Sequence, residues 1–200
     1  MKKDSLVFIA EVIFLVFIVL FVLNLDYFFP LPEIPEQVNR LNITYDSTKL
    51  QVIEFSDFEC PFCADVHTTV NRVREEYAGI VEVHFKPLPF HKNSQKASEA
   101  VECARDQGIF WEYHNKLFEN QGRLGVPQLK VYAGQVGLDV GSFSECLDSG
   151  ENAQVIAGYV QEASGYGISA TPTFIIGTRV VPGNIPLSQF ERLIDEELGG

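Results

Sequence analysis

The chain has 200 residues, 46% of them hydrophobic, and a formal net charge of -12 at pH 7. That acidity argues against nucleic-acid binding and against electrostatic docking on anionic lipid, since both need a basic surface. Once an apolar start is set aside, about 160 residues remain, the size of one domain with a single sizeable core.

After Met1-Lys2-Lys3-Asp4 comes "SLVFIAEVIFLVFIVLFVLNL", residues 5–25, in which Glu11 is the only ionisable residue. At about 1.5 Å per residue, a run of roughly 20 crosses a bilayer core of about 30 Å. A cleaved signal peptide is the rival reading, but its apolar core is usually about 7 to 15 residues long, and "VLNLDYFFPLP" carries no small-x-small cleavage site. The segment is therefore expected to be a retained transmembrane anchor. Lys2 and Lys3 put residues 1–4 in the cytoplasm and the remainder on the extracytosolic side of the cell membrane. Glu11 is expected to be protonated or to snorkel toward the interface. Residues 26–40, with "PLPEIPEQ", suit an extended linker.

The folded domain is expected over 41–200. "LQVIEF" from Leu50 to Phe55 reads as a buried strand. "CADVHTTVNRVREEY" spaces Val66, Val70, Val73 and Tyr77 as one helical face and ends at Gly79. "IVEVHFKPLPF" alternates as a second strand, stopped by Pro87 and Pro89. "NSQKASEAVECARDQ" has Ser94 as a candidate cap and a stripe of Ala97, Ala100, Val101 and Ala104. "IFWEYHNKLFENQ" is aromatic and helical, its Phe110, Trp111, Tyr113, Leu117 and Phe118 reading as core. Shorter helices follow near Pro127–Val136 and Val140–Leu147, then a longer one over Asn152–Tyr166. Phe174-Ile175-Ile176 and Arg179-Val180-Val181 flank Gly177-Thr178 as a hairpin, and a helix from Leu187 to Leu198 closes the chain. The order predicts an α/β fold with a helical insertion over about 93–166.

All four cysteines lie in the part expected to be exported, where disulfides persist. Cys60-Pro61-Phe62-Cys63 stands at the strand-to-helix junction. There the unpaired N–H groups and the macrodipole favour an anion, so the Cys60 thiolate is expected to be stabilised. Pro61, at the first helical position, presets φ and gives up an N–H that has no intrahelical partner. Cys63 then sits one turn inside, more buried, able to attack a mixed disulfide on Cys60. A metal site of Cys60, Cys63 and His67 is one rival, although a closed zinc site usually needs four ligands and no second pair is present. An inert local staple is the other.

"VIEFSDFECPFC", "CARDQGIFWEYHNKLFENQ" and "ATPTFIIG" together resemble the DsbA-like branch of the thioredoxin superfamily, the extracytosolic thiol-disulfide oxidoreductases, in order and over about Leu41–Gly200. The resemblance implies a thioredoxin fold with a helical insertion and a redox-active Cys60–Cys63 disulfide with no other cofactor and no metal. Cys60 resembles the nucleophile and Cys63 its resolving partner. Thr171-Pro172 resembles the segment whose cis proline lies against the disulfide and whose backbone pairs with substrate. Glu54, six residues before Cys60, matches the buried acid that relays protons to the resolving cysteine. Pro61 and Phe62 fall where substrate meets the motif. The implied partners are cysteine-containing exported proteins and a membrane quinone-linked reoxidising partner of the DsbB or vitamin-K-epoxide-reductase type.

The dipeptide departs from the best-known oxidases, which carry proline and histidine. Phe62 can neither donate a hydrogen bond nor carry charge to the thiolate, which weakens the case for a strong oxidase and keeps reductase and isomerase readings open. Asp57 and Glu59 push the same way unless they are simply solvated loop acids. Of the three possible cysteine pairings, only Cys103 with Cys146 leaves the motif intact, so these are expected to form a structural disulfide. His84, His91 and His114 share no spacing and read as surface residues, and Lys86 is a candidate partner for Glu54 across adjacent strands.

Overall fold

The structure, a computed structural model, describes residues 46–199. The expected anchor at 5–25, Glu11 and the linker at 26–40 lie outside these residues. Among the described residues no helix is long and apolar enough to cross a membrane.

The chain opens with β1 (Leu50–Ser56), α1 (Pro61–Glu76) and β2 (Val81–Pro87). A helical block follows: α2 (Ser94–Asp106), α3 (Phe110–Phe118), a single 3-10 turn at Gln121–Arg123, α4 (Val126–Gln135), α5 (Val140–Ser149) and α6 (Ala153–Gly165). β3 (Thr173–Ile176), β4 (Arg179–Pro182) and α7 (Leu187–Leu198) complete it. The sheet order is β2-β1-β3-β4, with β1 parallel to β2 and antiparallel to β3. The strands and helices lie within a few residues of where the sequence patterns place them, with the expected helix over Ile109–Gln121 ending at Phe118 and followed by a separate 3-10 turn.

β1 is central and buried on both faces because both are covered. Val52 packs with Val66, Val70 and Val73 of α1 and with Phe190 and Ile194 of α7. Ile53 and Phe55 turn the other way, toward Ala163 and Ile168 at the end of α6. The insertion builds its own core from Ala97, Ala100, Val101 and Ala104 of α2 and Tyr113 and Leu117 of α3, and that cluster reaches Cys60 and Cys63. The hairpin turns at Gly177, whose φ of 57° lies in the left-handed region that favours glycine.

Several polar side chains are placed differently from the sequence reading. Ser94 is the first helical residue rather than the cap, and its hydroxyl donates to Asp57. Lys86 stands in register with Phe55, on the face opposite Glu54, and its ammonium meets both carboxylate oxygens of Glu162 at 2.6 and 2.8 Å. Strand alternation excludes the Glu54 pairing, and a buried ammonium needs a carboxylate, which α6 brings. His114 is buried among Phe58, Phe85, Phe110 and Phe118 rather than on the surface. His84 is half-buried, its Nε2 2.7 Å from Gln51 Oε1. Of the three histidines, His91 alone exposes about half its side chain.

Candidate active site

Cys60 is the N-cap of α1, with extended backbone angles and Pro61 as the first helical residue. Its N–H donates to Asp57 O, closing a turn, and its carbonyl accepts from the N–H groups of Cys63 and Ala64. This start places one sulfur at the helix mouth and the other a turn inside. Cys60 is 6% exposed and Cys63 0%, and both are thiols. Phe62, between them, is 63% exposed.

The Cys60 thiol donates to the carbonyl of Thr171 at 3.5 Å, and the Thr171–Pro172 peptide bond is cis. Segments 111 residues apart therefore meet at the Cys60 sulfur. The side-chain amide of Gln121 donates to the carbonyls of both Phe58 and Cys60, at 2.9 Å each, pinning the loop that carries the motif. Cys63 accepts the backbone N–H of Asp57 at 3.5 Å. Burial pushes the Cys63 thiol up to about 12, only partly opposed by the Asp57 N–H and by the neighbouring Ser56 and Thr171 side chains.

Glu54 stands in register between Phe85 of β2 and Phe174 of β3 and is 1% exposed. That apolar burial raises its carboxyl to about 7, only partly offset by the Ser56 hydroxyl. An acid poised near neutrality suits proton transfer.

Asp57 and Glu59 are not solvated loop acids. Asp57 accepts from the N–H groups of Phe90, His91 and Glu59 and from the Ser94 hydroxyl, and its Oδ2 lies 2.9 Å from His91 Nδ1. Burial alone would raise the Asp57 carboxyl, but these donors together hold it below its ordinary value. Glu59 accepts from the backbone and side-chain nitrogens of Asn93. Together the two acids tie the loop after β2 to the segment that leads into Cys60.

His67 turns away from the sulfurs. Its Nε2 is 2.8 Å from Asn115 Oδ1 and its ring stacks on Phe118. Among the described residues, the ligand atoms that do cluster belong to Asp106, Cys146 and Glu151. There the sulfur is already engaged, because Cys146 and Cys103 form a disulfide that joins α5 to α2 with their Cα atoms 6.0 Å apart.

The structure thus brings Glu54, Cys60, Phe62, Cys63, Thr171 and Pro172 to one end of β1 and α1. Sequence reasoning missed Ser56, Gln121 and the anchoring role of Asp57. Ser56 carried a signal, two residues after Glu54 on the same strand face; Gln121 carried none.

A family model described as thioredoxin matches residues 43–196. The catalytic domain of Proteus mirabilis ScsC is similar, with a TM-score of 0.67 and 26% identity over 79% of this chain and 88% of that one. BdbD from Bacillus subtilis, in its oxidised form, aligns with a TM-score of 0.71 and 25% identity over 78% of this chain and 91% of that one. Among curated proteins, the Na(+)/H(+) antiporter NhaA 1 of Salinispora arenicola is 34% identical over 151 residues, 74% of this chain but 23% of the antiporter. The chain thus spans about a quarter of the length of that relative, and the antiporter's name describes the larger protein. With its strand order, its paired cysteines and the cis proline opposite them, this chain belongs to the thioredoxin family.

Proposed function

We propose that the protein is an extracytosolic thiol-disulfide oxidoreductase that introduces disulfides into cysteine-containing exported proteins. The observation that carries this reading is the Cys60 sulfur at the mouth of α1, against the Thr171 carbonyl, with Cys63 buried one turn behind it. In the oxidised protein a substrate thiolate attacks Cys60, the Cys60–Cys63 bond breaks, and Cys63 leaves with the electron pair. The substrate's second thiolate then attacks the mixed disulfide and Cys60 is released, both cysteines now reduced. Turnover needs an electron acceptor, and the likeness to DsbA-type enzymes supports a membrane quinone-linked partner of the DsbB or vitamin-K-epoxide-reductase type. The apolar run at 5–25 would anchor the protein beside it.

A reductase or isomerase would use the same residues with electrons running the other way, and the exposed, uncharged Phe62 favours keeping that reading in view. A metal chaperone is disfavoured, since His67 is committed to Asn115 and Phe118 and no third ligand joins the two sulfurs among the described residues.

The test is trapping by alkylation of the protein taken directly from cells. The oxidase reading expects the Cys60–Cys63 pair mainly oxidised and a Cys63→Ala variant that accumulates mixed disulfides with exported proteins. A pair found mainly reduced overturns the oxidase direction, and a variant that traps nothing overturns exchange altogether.

A further inference from the structure

Strand alternation puts Glu54 and Ser56 on the same face of β1, and the helix packed on that face is α1, which carries Cys63. Three polar groups are therefore enclosed together: the Cys63 thiol, the Ser56 hydroxyl and the Glu54 carboxyl, none of them more than 1% exposed. Glu54 Oε1 and Ser56 Oγ make no hydrogen bond of ordinary geometry among the described residues. Leaving such a group unsatisfied in a core costs about 1–3 kcal/mol, so two neighbouring ones point to a role that needs free valences. The backbone N–H of Asp57, the next residue along, donates to the Cys63 sulfur at 3.5 Å and so holds that sulfur at the Ser56 end of β1, and the Ser56 hydroxyl opposes the effect of burial on both the thiol and the Glu54 carboxyl. A hydroxyl is both donor and acceptor, whereas a thiol mainly donates and a carboxylate only accepts.

We propose that Ser56 is the hydroxyl bridge through which the Cys63 thiol and the Glu54 carboxyl exchange a proton during disulfide exchange. The proposal rests on the thiol-disulfide exchange reading above. In the oxidising direction a substrate thiolate bonds to Cys60 and the Cys60–Cys63 bond breaks. Cys63 leaves as a thiolate and takes the Ser56 hydroxyl proton, while Ser56 takes the proton of the Glu54 carboxyl, which becomes a carboxylate. In the reverse direction the Cys63 proton passes to Ser56 and that of Ser56 to the Glu54 carboxylate, as Cys63 attacks Cys60 in the mixed disulfide. No charge has to leave the enclosed space. The other elements on this face contribute Phe85 from β2, Phe174 from β3 and Phe190 from α7, none of which titrates. Cys60, the N-cap of α1, is the other ionisable group nearby. His67 of α1 is turned to Asn115, His114 of α3 lies edge-on to Phe85, the Asp57 carboxylate is turned to Phe90, His91 and Ser94, and Lys86 lies across the sheet with Glu162.

The test follows reduction of the Cys60–Cys63 disulfide by dithiothreitol, with acid quench and alkylation, from pH 5 to 9. The full chain is compared with Ser56→Ala, Ser56→Thr, Glu54→Gln and the Ser56→Ala/Glu54→Gln double variant. Below pH 7 Ser56→Ala is expected to be slower than the unmodified protein by about tenfold or more, in line with general acid catalysis. The gap should close above pH 8, where the acid is spent. Ser56→Thr should restore the rate, and the double variant should be no slower than Ser56→Ala. A Ser56→Ala profile matching the unmodified protein, or lowered equally at every pH, overturns the bridge. Should Ser56→Ala not fold, the unmodified protein still decides the matter. Its rate in mixtures of light and heavy water should curve as for two protons in flight, and a straight line overturns the relay. Absence of any exchange by the unmodified protein would instead refute the function itself.

Discussion

The backbone N–H of Asp57 donates to the sulfur of Cys63 across 3.5 Å, while the same residue's buried carboxylate collects the N–H groups of Phe90 and His91 and the Ser94 hydroxyl. One residue therefore fixes the Cys63 sulfur and the loop after β2. Asp57→Ala would leave those donors without their acceptor, at about 1–3 kcal/mol for each one that stays buried. We expect the variant to lose about 3 kcal/mol of stability in urea denaturation at pH 7, with faster amide exchange at Phe90 and His91. The loss should shrink in acid. The folded carboxyl is held below its ordinary value, so its contribution is present above about pH 4, near the ordinary value of 3.8, and disappears as pH falls through the folded one. Undiminished stability at pH 7 would show that the loop is held by other contacts.

Glu54 has the opposite sign. Its folded carboxyl is raised from 4.5 to about 7, so the stability linked to it is full below pH 4.5 and declines as pH rises to about 7. The difference corresponds to about 3 kcal/mol. Glu54→Gln removes the charge and keeps the shape. It should match the unmodified protein near pH 4 and exceed its stability by up to about 3 kcal/mol at pH 8, as read from urea melts of the reduced protein at both pH values. A constant difference across that range would show that Glu54 does not hold its proton as its burial requires.

The elements were legible because each carries a period: alternation in β1 and β2, the valine stripe of α1, the alanine stripe of α2. The cysteine motif was legible because local chemistry marks it, two cysteines at a helix start, whereas Glu54 on its own read equally well as a solvent-facing strand residue and was marked only by the family resemblance. The site was not legible where a partner arrives from far along the chain. Asp57 read as an acid disfavouring charge beside the motif or as a solvated one, because its donors, Phe90 to Ser94, come more than 30 residues later. Lys86 pointed to Glu54 by sequence proximity of strands, yet the register turned it to Glu162, 76 residues away. Gln121, in a 3-10 turn with no periodicity, pins the Cys60 loop across 61 residues.

The Cys103–Cys146 disulfide closes a loop of 43 residues inside the helical insertion, well away in sequence from the reactive pair. On the chain-entropy argument such a loop contributes about 4 kcal/mol. Replacing both residues with alanine should lower thermal and urea stability by an amount of that order. Because Cys103 is buried in the cluster that reaches Cys60 and Cys63, the test includes dithiothreitol exchange at the active pair, which should stay within about threefold once the variant is folded. A variant as stable as the unmodified protein would show that α2 and α5 hold together by packing alone.

Phe62 offers the most direct control on the direction of electron flow. It is the second residue of α1, exposed, and follows the cysteine whose sulfur stands at the helix mouth. A disulfide has no charge to stabilise, so any donor or cation placed here favours the reduced form and makes the protein a stronger oxidant. Phe62→His supplies both. A gain of about 1.4 kcal/mol in the reduced form would lower the ratio of reduced glutathione squared to oxidised glutathione at half-reduction about tenfold and raise the potential by about 30 mV. The shift should be larger at pH 6 than at pH 8, because the imidazole is charged mainly at the lower value. Equilibration of both proteins in glutathione buffers at the two pH values measures it. An unchanged midpoint at pH 6 would mean that the backbone N–H groups of α1 already saturate the thiolate, and that Phe62 acts through its exposed apolar surface instead.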